Sequence, residues 1–559
     1  MLYRRPIGSL LLAAKRPRLA AFQRNLEAFH AVQAVVLARS LGQIAGSRFA
    51  LAHGARNIPD IESFPVCDYE PMRPWIERFA SGDATALFGP DSGLTPDKCR
   101  FVTTSGTTGR PKLIPVTPAS FAAQAAGWEA WGLATFADHR DAAFWDVLPV
   151  SSPDRASMSG LATWTMQPLS FKTLYAVPDK AQAITPFSLK LKALLRLTVA
   201  NRNLGTLMAA NPSTLLMLTG LLARHGHDFV RDLRNGTFFA QDNDTAGLTN
   251  AQAASLGLRR RDKSAARRLD AALRHQEHLT PRDVWPRLKL VTMWLGGTLA
   301  HYCEALRPAL GHVPWRDHGL VASEGRFTVP LRDGSPDGVL DPGAAYYEFV
   351  AEGDRESRLI GSSDLIPGEK YRLVVTTLGG LIRYDMNDVI QCTGFLDGRP
   401  GSAPIVRFLR KSSQFANVTG EKLSATQVTE ALAALARDIG ACGPALRAAR
   451  FVTMAPDRGL HPPQYVLHAE AVAGCDQQVW DEVARRLDSA LAGLNFEYRD
   501  KRESGRLGPV RVTLLRPGSL DELRTRHLAR TPGATPEQFK QPVLLDDLTS
   551  PLRDMALQV

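Results

Sequence analysis

A chain of 559 residues is too long for one ordinary core and divides into two or more domains. Its apolar fraction of 44% and charged fraction of 22% are those of a globular protein, and no apolar run approaches the length that spans a bilayer, which excludes an integral helical membrane protein. The net charge of +11 permits contact with polyanions and suits a site for anionic substrates, but a solvated basic face is the first account of it.

At the N-terminus Arg4, Arg5, Lys15, Arg16, Arg18 and Arg24 precede the first acid, Glu27, and flank the apolar stretch Ile7 to Ala14. The stretch is short and no small-residue cleavage site follows, so a helix that stays on the chain is expected rather than a cleaved leader. Its basic character allows weak contact with a membrane surface. Residues 20–55 read as helix, with Gln33, Val36, Leu37, Ser40 and Leu41 forming the stripe that faces the core. A further helix is expected over Pro74 to Ala80. The six cysteines are scattered without a C-x-x-C pair or zinc spacing, which points to a reducing, cytoplasmic setting.

The segment Phe101 to Val116 reads FVTTSGTTGRPKLIPV. Phe101 and Val102 end one strand and Leu113 to Val116 form a second. Thr117 then caps a helix with Pro118 at the first helical position, where a missing N–H costs nothing. Between the strands lie Thr103, Thr104, Ser105, Gly106, Thr107, Thr108 and Gly109, followed by Arg110, Pro111 and Lys112. Glycines let backbone approach a ligand and take up φ > 0. Exposed N–H and hydroxyl groups bond phosphate oxygens, and Lys112 adds a mobile positive charge. Lys112 follows proline and precedes leucine, so the Walker pattern G-x-x-x-x-G-K-[ST] is absent. The string TSGTTGRPK instead resembles the phosphate loop of the adenylate-forming enzymes. Its continuation KLIPVT is similar to one branch of them, the Gretchen Hagen (auxin-responsive promoter) family of acyl acid amido synthetases. The resemblance implies that Thr104, Ser105, Gly106, Thr107, Thr108 and Gly109 hold phosphate and that Lys112 has a catalytic part.

Farther on, a helix is expected over Ala119 to Ala134, carrying Trp128 and Trp131, and a strand over Ala143 to Val150. Ser151 to Thr165 is irregular and either lines an acyl pocket or merely connects. Helices follow at Leu215 to His225 and Phe229 to Leu233, then a basic helical hairpin on the surface at Ala251 to His275. An apolar strand, Leu288 to Trp294, runs into Gly296 and Gly297, a pattern that fits an open α/β sheet with ligand beyond its carboxyl ends. The resemblance places adenine against these two glycines.

Gly319 to Gly325, GLVASEG, is similar to the Y-G-x-T-E segment of these enzymes, with Leu320 where tyrosine is usual. It implies that Ser323 faces phosphate and that Glu324 is a catalytic acid and the ligand of Mg²⁺. One carboxylate suffices for a hard cation that also binds the substrate's phosphates. Strands at Ala345 to Phe349 and Arg372 to Thr377 lead into LGGLIRYDMNDV, residues 378–389, similar to the family's G-L-x-R-Y-x-x-G-D-V. Asp388 is then the acceptor of both ribose hydroxyls. Asn387 replaces a glycine, which asparagine's tolerance of left-handed dihedrals allows. Asp385 departs from the usual arginine, and Arg383 is either structural or on the phosphate side.

Ile405 to Lys411 and NVTGEKL, residues 417–423, resemble the hinge before the small domain, with Arg410 and Lys422 as ATP contacts. Ser424 to Leu435 reads as that domain's first helix. Gly533 to Pro542 is similar to the family's G-A-x-x-x-Q-Y-K-x-P, which makes Lys540 the lysine that swings over the site. The chain end lacks the P-x-T-x-S-G-K signature of acyl-CoA ligases, which favours an amide product.

The sequence therefore predicts an α/β fold with a large N-terminal adenylate-forming domain, residues 1–408, holding ATP and the acyl acid, and a smaller mobile α+β domain, residues 409–559. The implied partners are a carboxylic acid and an amine or amino acid, with ATP and Mg²⁺ and without nucleic acid. A thiol acceptor, and a non-catalytic basic binding protein on the same fold, are the alternatives.

Overall fold

The structure is a computed structural model. It describes residues 4–55, 60–104, 112–151, 161–167, 169–184, 187–239, 248–296, 300–352, 354, 358–411, 415–437, 440–449, 451–470, 477–519, 522–523, 525–526, 543–545 and 551–556. The chain forms two compact units, one from the N-terminus to Thr104 and from Lys112 to Arg410, the other from Lys411 onward.

The expected helix over residues 20–55 is three helices, and the first begins far earlier: α1 (Arg4–Glu27), α2 (Phe29–Ile44) and α3 (Arg48–Ala52). Gly46 at φ +75° breaks the run, and the Ser47 hydroxyl restarts it by accepting from Ala50 N at 3.0 Å. On α2, Gln33 is buried as a polar clamp. Its amide donates to the Pro342 and Ala345 carbonyls and accepts from Tyr347 N, at 2.6–3.0 Å. Helix α4 (Tyr69–Ala80) starts five residues before the expected Pro74, because Asp68 caps it through Glu70 N.

Strands β1 (Arg100–Thr104) and β2 (Lys112–Val116) form an antiparallel pair in which Thr104 lies opposite Lys112. Helix α5 (Pro118–Asp138) follows, capped by Thr117 as expected. Four parallel strands come next, β3 (Asp146–Val150), β4 (Leu204–Ala209), β5 (Leu290–Thr292) and β6 (Trp315–Arg316), side by side in chain order. They are buried at nearly every residue because helices cover them, among these Phe187–Thr198, Pro212–Arg224 and Ala300–Leu310. The basic hairpin is exposed on one face only. Ala265, Ala266 and Leu269 are buried, and Arg268 donates to the Asp283 and Val199 carbonyls.

The remaining strands of this unit are β7 (Thr328–Val329), β8 (Gly338–Leu340), β9 (Ala345–Ala351), β10 (Leu359–Ile360), β11 (Lys370–Thr377), β12 (Tyr384–Phe395) and β13 (Pro404–Lys411). They form one seven-stranded sheet in the order β10-β9-β11-β12-β13-β8-β7. The turn between β11 and β12 receives the β1–β2 pair. A Cβ on Gly379 would lie 2.8 Å from the Pro115 carbonyl, and Thr117 donates to the Leu378 carbonyl at 2.8 Å. Gly380, at φ +87°, has the Phe88 ring where a side chain would go. Gly379 thus lets β2 lie directly against this turn, and Gly380 makes room for Phe88.

The second unit holds the pair β14 (Phe415–Ala416) and β15 (Leu423–Ser424), and a sheet of β16 (Phe451–Asp457), β17 (Gln464–Glu470) and β18 (Arg511–Leu514). Helices Ala425–Ala436 and Gln477–Leu494 pack a core around Trp480, Leu487 and Leu491. Ser424 caps the first of them. Within the segment NVTGEKL, Glu421 is fully buried and accepts from Val418 N, Thr419 N and the Thr419 hydroxyl at 2.6–2.8 Å, and from the Tyr465 hydroxyl. This carboxylate fixes the turn in which Lys422 takes φ +45°. Among the described residues no helix is long and apolar enough to cross a membrane.

Glu421→Ala leaves those donors buried without an acceptor. We expect this unit to lose about 3 kcal/mol, since each stranded buried group costs roughly 1–3 kcal/mol. Glu421→Gln keeps one acceptor oxygen but turns its NH2 onto a backbone N–H on the other side, so it is also destabilised, by less than Glu421→Ala. A guanidinium melt followed at the C-terminal transition checks this, and an unchanged midpoint for Glu421→Ala contradicts it.

Candidate active site

Tyr384, at the start of β12, joins two residues that the sequence singled out separately. Lys112 Nζ donates to the Tyr384 hydroxyl at 3.1 Å, and that hydroxyl donates to Glu324 Oε1 at 3.2 Å. Burial, then the nearby Glu324, hold the Tyr384 phenol well above its ordinary pKa, so it stays a neutral donor. Asp388 and Asp68 push it the same way, which places Asp388 in the field of the same group. Lys112 is also set by aromatic faces, 5.5 Å from the Tyr69 ring centre and 5.7 Å from that of Tyr384. The Tyr69 hydroxyl in turn accepts from Leu113 N and donates to the Leu113 carbonyl, pinning β2 beside the lysine.

Ser323 and Glu324 sit at the tip of a tight turn. Ala322 and Gly325 exchange backbone hydrogen bonds, and Val321 bridges Arg326. The tip is therefore defined by backbone pairing. Among the described residues Glu324 Oε2 receives no hydrogen bond, which suits a hard cation.

Asp388 owes its position to a β-bulge. Arg372 pairs with Val389 and Val374 with Asp385, so Met386, Asn387 and Asp388 stand against one residue of β11. Asn387 takes φ +55°, the left-handed conformation expected of it. Asp385 holds the bulge by accepting from Asn387 N and from Arg372 Nη1, both at 2.8 Å. The departure from arginine at this position thus has a local structural use. Asp388 itself is buried. Arg383, also left-handed at φ +44°, gives its guanidinium to Glu348 at 2.8–3.2 Å and to the Phe64 carbonyl, so the geometry favours its structural alternative.

At Gly296 a Cβ would meet Pro336 at 2.7 Å, so the Cβ side of this glycine is taken by protein. Asp317 accepts from Leu295 N at 2.6 Å and from Gly319 N, tying the end of the parallel sheet to the segment that carries Glu324. Burial pushes the Asp317 carboxyl up to about 6. Ser105, Gly106, Thr107, Thr108, Gly109, Gly297 and Lys540 lie outside the described residues, as do the side chains of Thr104 and Arg410.

A buried layer behind Glu324 went unassigned in the sequence. Arg326 is fully buried 4.1 Å above the Trp128 ring, and its three nitrogens find no hydrogen-bond acceptor among the described residues. Trp131 donates to the Asp317 carbonyl at 2.8 Å, and His318 meets both indoles edge-on. Burial, with Arg326 adjacent, keeps His318 neutral, its pKa lowered to about 3. The signal available was Trp128 and Trp131, three apart on one helix and therefore on one face.

Models of one family match most of the chain. The GH3 family N-terminal domain matches residues 18–315, the GH3 family central domain residues 338–411, and the GH3 family C-terminal domain residues 426–549. The chain belongs to the GH3 family. It is 25% identical to the probable indole-3-acetic acid-amido synthetase GH3.2 of Oryza sativa subsp. japonica, covering 96% of this chain and 93% of that one. It is 24% identical to the indole-3-acetic acid-amido synthetase GH3.3 of Arabidopsis thaliana, covering 91% and 88%. Its fold matches a solved GH3.15 acyl acid amido synthetase with TM-score 0.56 at 20% identity, over 94% of this chain and 93% of that one.

The left-handed Asn387 makes a direct prediction. Asn387→Gly keeps the bulge, and its melting temperature stays close to that of the parent. Asn387→Val costs about 1–2 kcal/mol, the penalty of placing a β-branched residue in that conformation. Equal melting temperatures for the two variants contradict the assignment.

Proposed function

We propose that this protein joins a carboxylic acid to an amine or amino acid at the expense of ATP. The acid's carboxylate attacks the α-phosphorus, forming an acyl-adenylate and releasing pyrophosphate. The amine then attacks the activated carbonyl, forming the amide and releasing AMP. The observation that carries the reading is the Lys112–Tyr384–Glu324 chain, which sets a cation and a carboxylate at the foot of the TSGTTGRPK string. Positioning and charge stabilisation account for such chemistry without a covalent nucleophile.

In this reading Thr104 to Gly109, with Ser323, hold the phosphates and Lys112 meets their charge. Asp388 takes the ribose hydroxyls, Gly296 and Gly297 border adenine, and Arg410 is a contact at the hinge. Glu324 would hold Mg²⁺ through the oxygen that no described donor occupies. When bound, Mg²⁺ neutralises the leaving pyrophosphate. Residues 1–408 form the adenylation domain, and residues 409–559 the mobile one that brings Lys540 to the carboxylate. The six scattered cysteines, without a C-x-x-C pair, support a reducing cytoplasmic setting.

The test is pyrophosphate release across a panel of carboxylic acids, followed by mass analysis of the products formed with amines or with coenzyme A. An amide product is expected, whereas a thioester would replace the acceptor class and no acid-dependent release would end the proposal. Lys540→Ala should slow pyrophosphate release by about 10² or more, as for one lost oxyanion contact. It should spare amide formation from synthetic acyl-adenylate. Equal losses in both half-reactions would assign Lys540 to the fold instead.

A further inference from the structure

The Tyr384 side chain is held in place by backbone on both sides of its strand. On one side Tyr384 pairs with Val375 of β11. On the other it bridges Cys67, whose N–H donates to the Arg383 carbonyl at 3.2 Å and whose carbonyl accepts from Asp385 N at 2.8 Å. The residue before it is fixed as well, through the Arg383 guanidinium on Glu348. The ring itself is buried, whereas Lys112 and Glu324 are half-buried at the two ends of its hydroxyl. The phenol has no room to swing aside.

The two charges are held less firmly. Lys112 carries its ammonium on a flexible four-carbon stem. The Tyr384 hydroxyl meets it at 3.1 Å, and the rings of Tyr69 and Tyr384 stand 5.5 and 5.7 Å away. Glu324 sits at the tip of its turn and bonds the same hydroxyl at 3.2 Å. Among the described residues it makes no ion pair, although an ammonium lies one hydroxyl away.

That separation is unusual for unlike charges. Their attraction grows as the distance shortens and as the surroundings become less polar. With the hydroxyl removed, nothing on the page keeps the lysine stem from closing on the carboxylate. A closed pair satisfies each charge with the other and leaves neither for a ligand.

We propose that Tyr384 is a positioning residue whose hydroxyl works as a spacer, keeping Lys112 from closing on Glu324. The carboxylate then stays open to a divalent cation and the ammonium to phosphate. Without the spacer, the site's own lysine competes with the cation for Glu324. The inference rests on the reading of Glu324 as the cation's ligand in an adenylating enzyme.

The experiment uses the full chain and Tyr384→Phe, which removes the hydroxyl and keeps the buried ring. Lys112 is labelled with acetic anhydride in the absence of metal and nucleotide, and its acetylation is followed by mass analysis. An ammonium locked on Glu324 reacts slowly, so Tyr384→Phe should lower the Lys112 labelling rate about fivefold or more. Adding Glu324→Gln to Tyr384→Phe removes the charge that traps the lysine and should bring the rate back to that of the parent. In pyrophosphate release, Tyr384→Phe should raise the Mg²⁺ concentration for half-maximal rate about tenfold, with kcat at saturating Mg²⁺ within about threefold of the parent. A tyrosine that only supported the fold would loosen Lys112 when cut back, raise its labelling, and gain nothing from Glu324→Gln.

If Tyr384→Phe labels as the parent does, or if Glu324→Gln does not restore a lowered rate, the spacer role is overturned. A lowered and restored labelling rate with an unchanged Mg²⁺ requirement overturns the competition for the cation. If no acid drives pyrophosphate release in the parent but the labelling pattern appears, the spacer stands and the adenylation reading falls. Neither pattern nor release overturns both.

Discussion

The Tyr384 hydroxyl stands between an ammonium and a carboxylate in a fully buried position, and the arrangement around it depends on that bridge. Each of its three members belongs to a different element: Lys112 to the strand after the phosphate loop, Tyr384 to the large sheet, Glu324 to the tip of a turn. A neutral phenol is needed at the centre, because a phenolate would repel the Glu324 carboxylate and could not donate to it. Burial supplies that neutrality by holding the phenol protonated. Bridging groups of opposite charge through a hydroxyl keeps them near each other without consuming either in a direct ion pair.

The surrounding structure fixes each member by backbone pairing. Tyr69 clamps Leu113, next to the lysine, and Gly379 lets β2 lie against the turn that leads to Tyr384. Asp385 and Arg372 hold the bulge that aims Asp388. Behind Glu324, Arg326 lies on Trp128 and Asp317 ties the parallel sheet to the same segment. Such preorganisation is what electrostatic catalysis requires, since donors that need not move cost nothing at the moment of reaction. Buried charge in this layer is expensive, and Arg326 shows it. Burial lowers its pKa to about 9, although Asp341 and Asp317 oppose the shift.

Much of this was legible in the sequence where a local rule sufficed. The strands around the phosphate loop, the Thr117–Pro118 helix start and the left-handed Asn387 each follow from neighbouring residues. Helix boundaries were less legible: α1 continues through Pro17, and α4 begins at its Asp68 cap although Pro74 lies inside it. The Tyr384 bridge was not legible as a bridge, because it links residues 272 and 60 positions apart in the chain. The same holds for Gln33 on the edge of β9 and for Arg326 on Trp128. Periodicity marks Gln33 as inward-facing, but only the fold shows which carbonyls it meets.

In the proposed reaction the acid is activated by bonding its carboxylate to the α-phosphorus. The most direct measurement offers the protein a carboxylic acid labelled with ¹⁸O in both oxygens, together with ATP, Mg²⁺ and an amine, and weighs the nucleotide product. AMP carrying one ¹⁸O for each amide formed is expected. Label in inorganic phosphate with ADP as the nucleotide product, or unlabelled AMP, would contradict it.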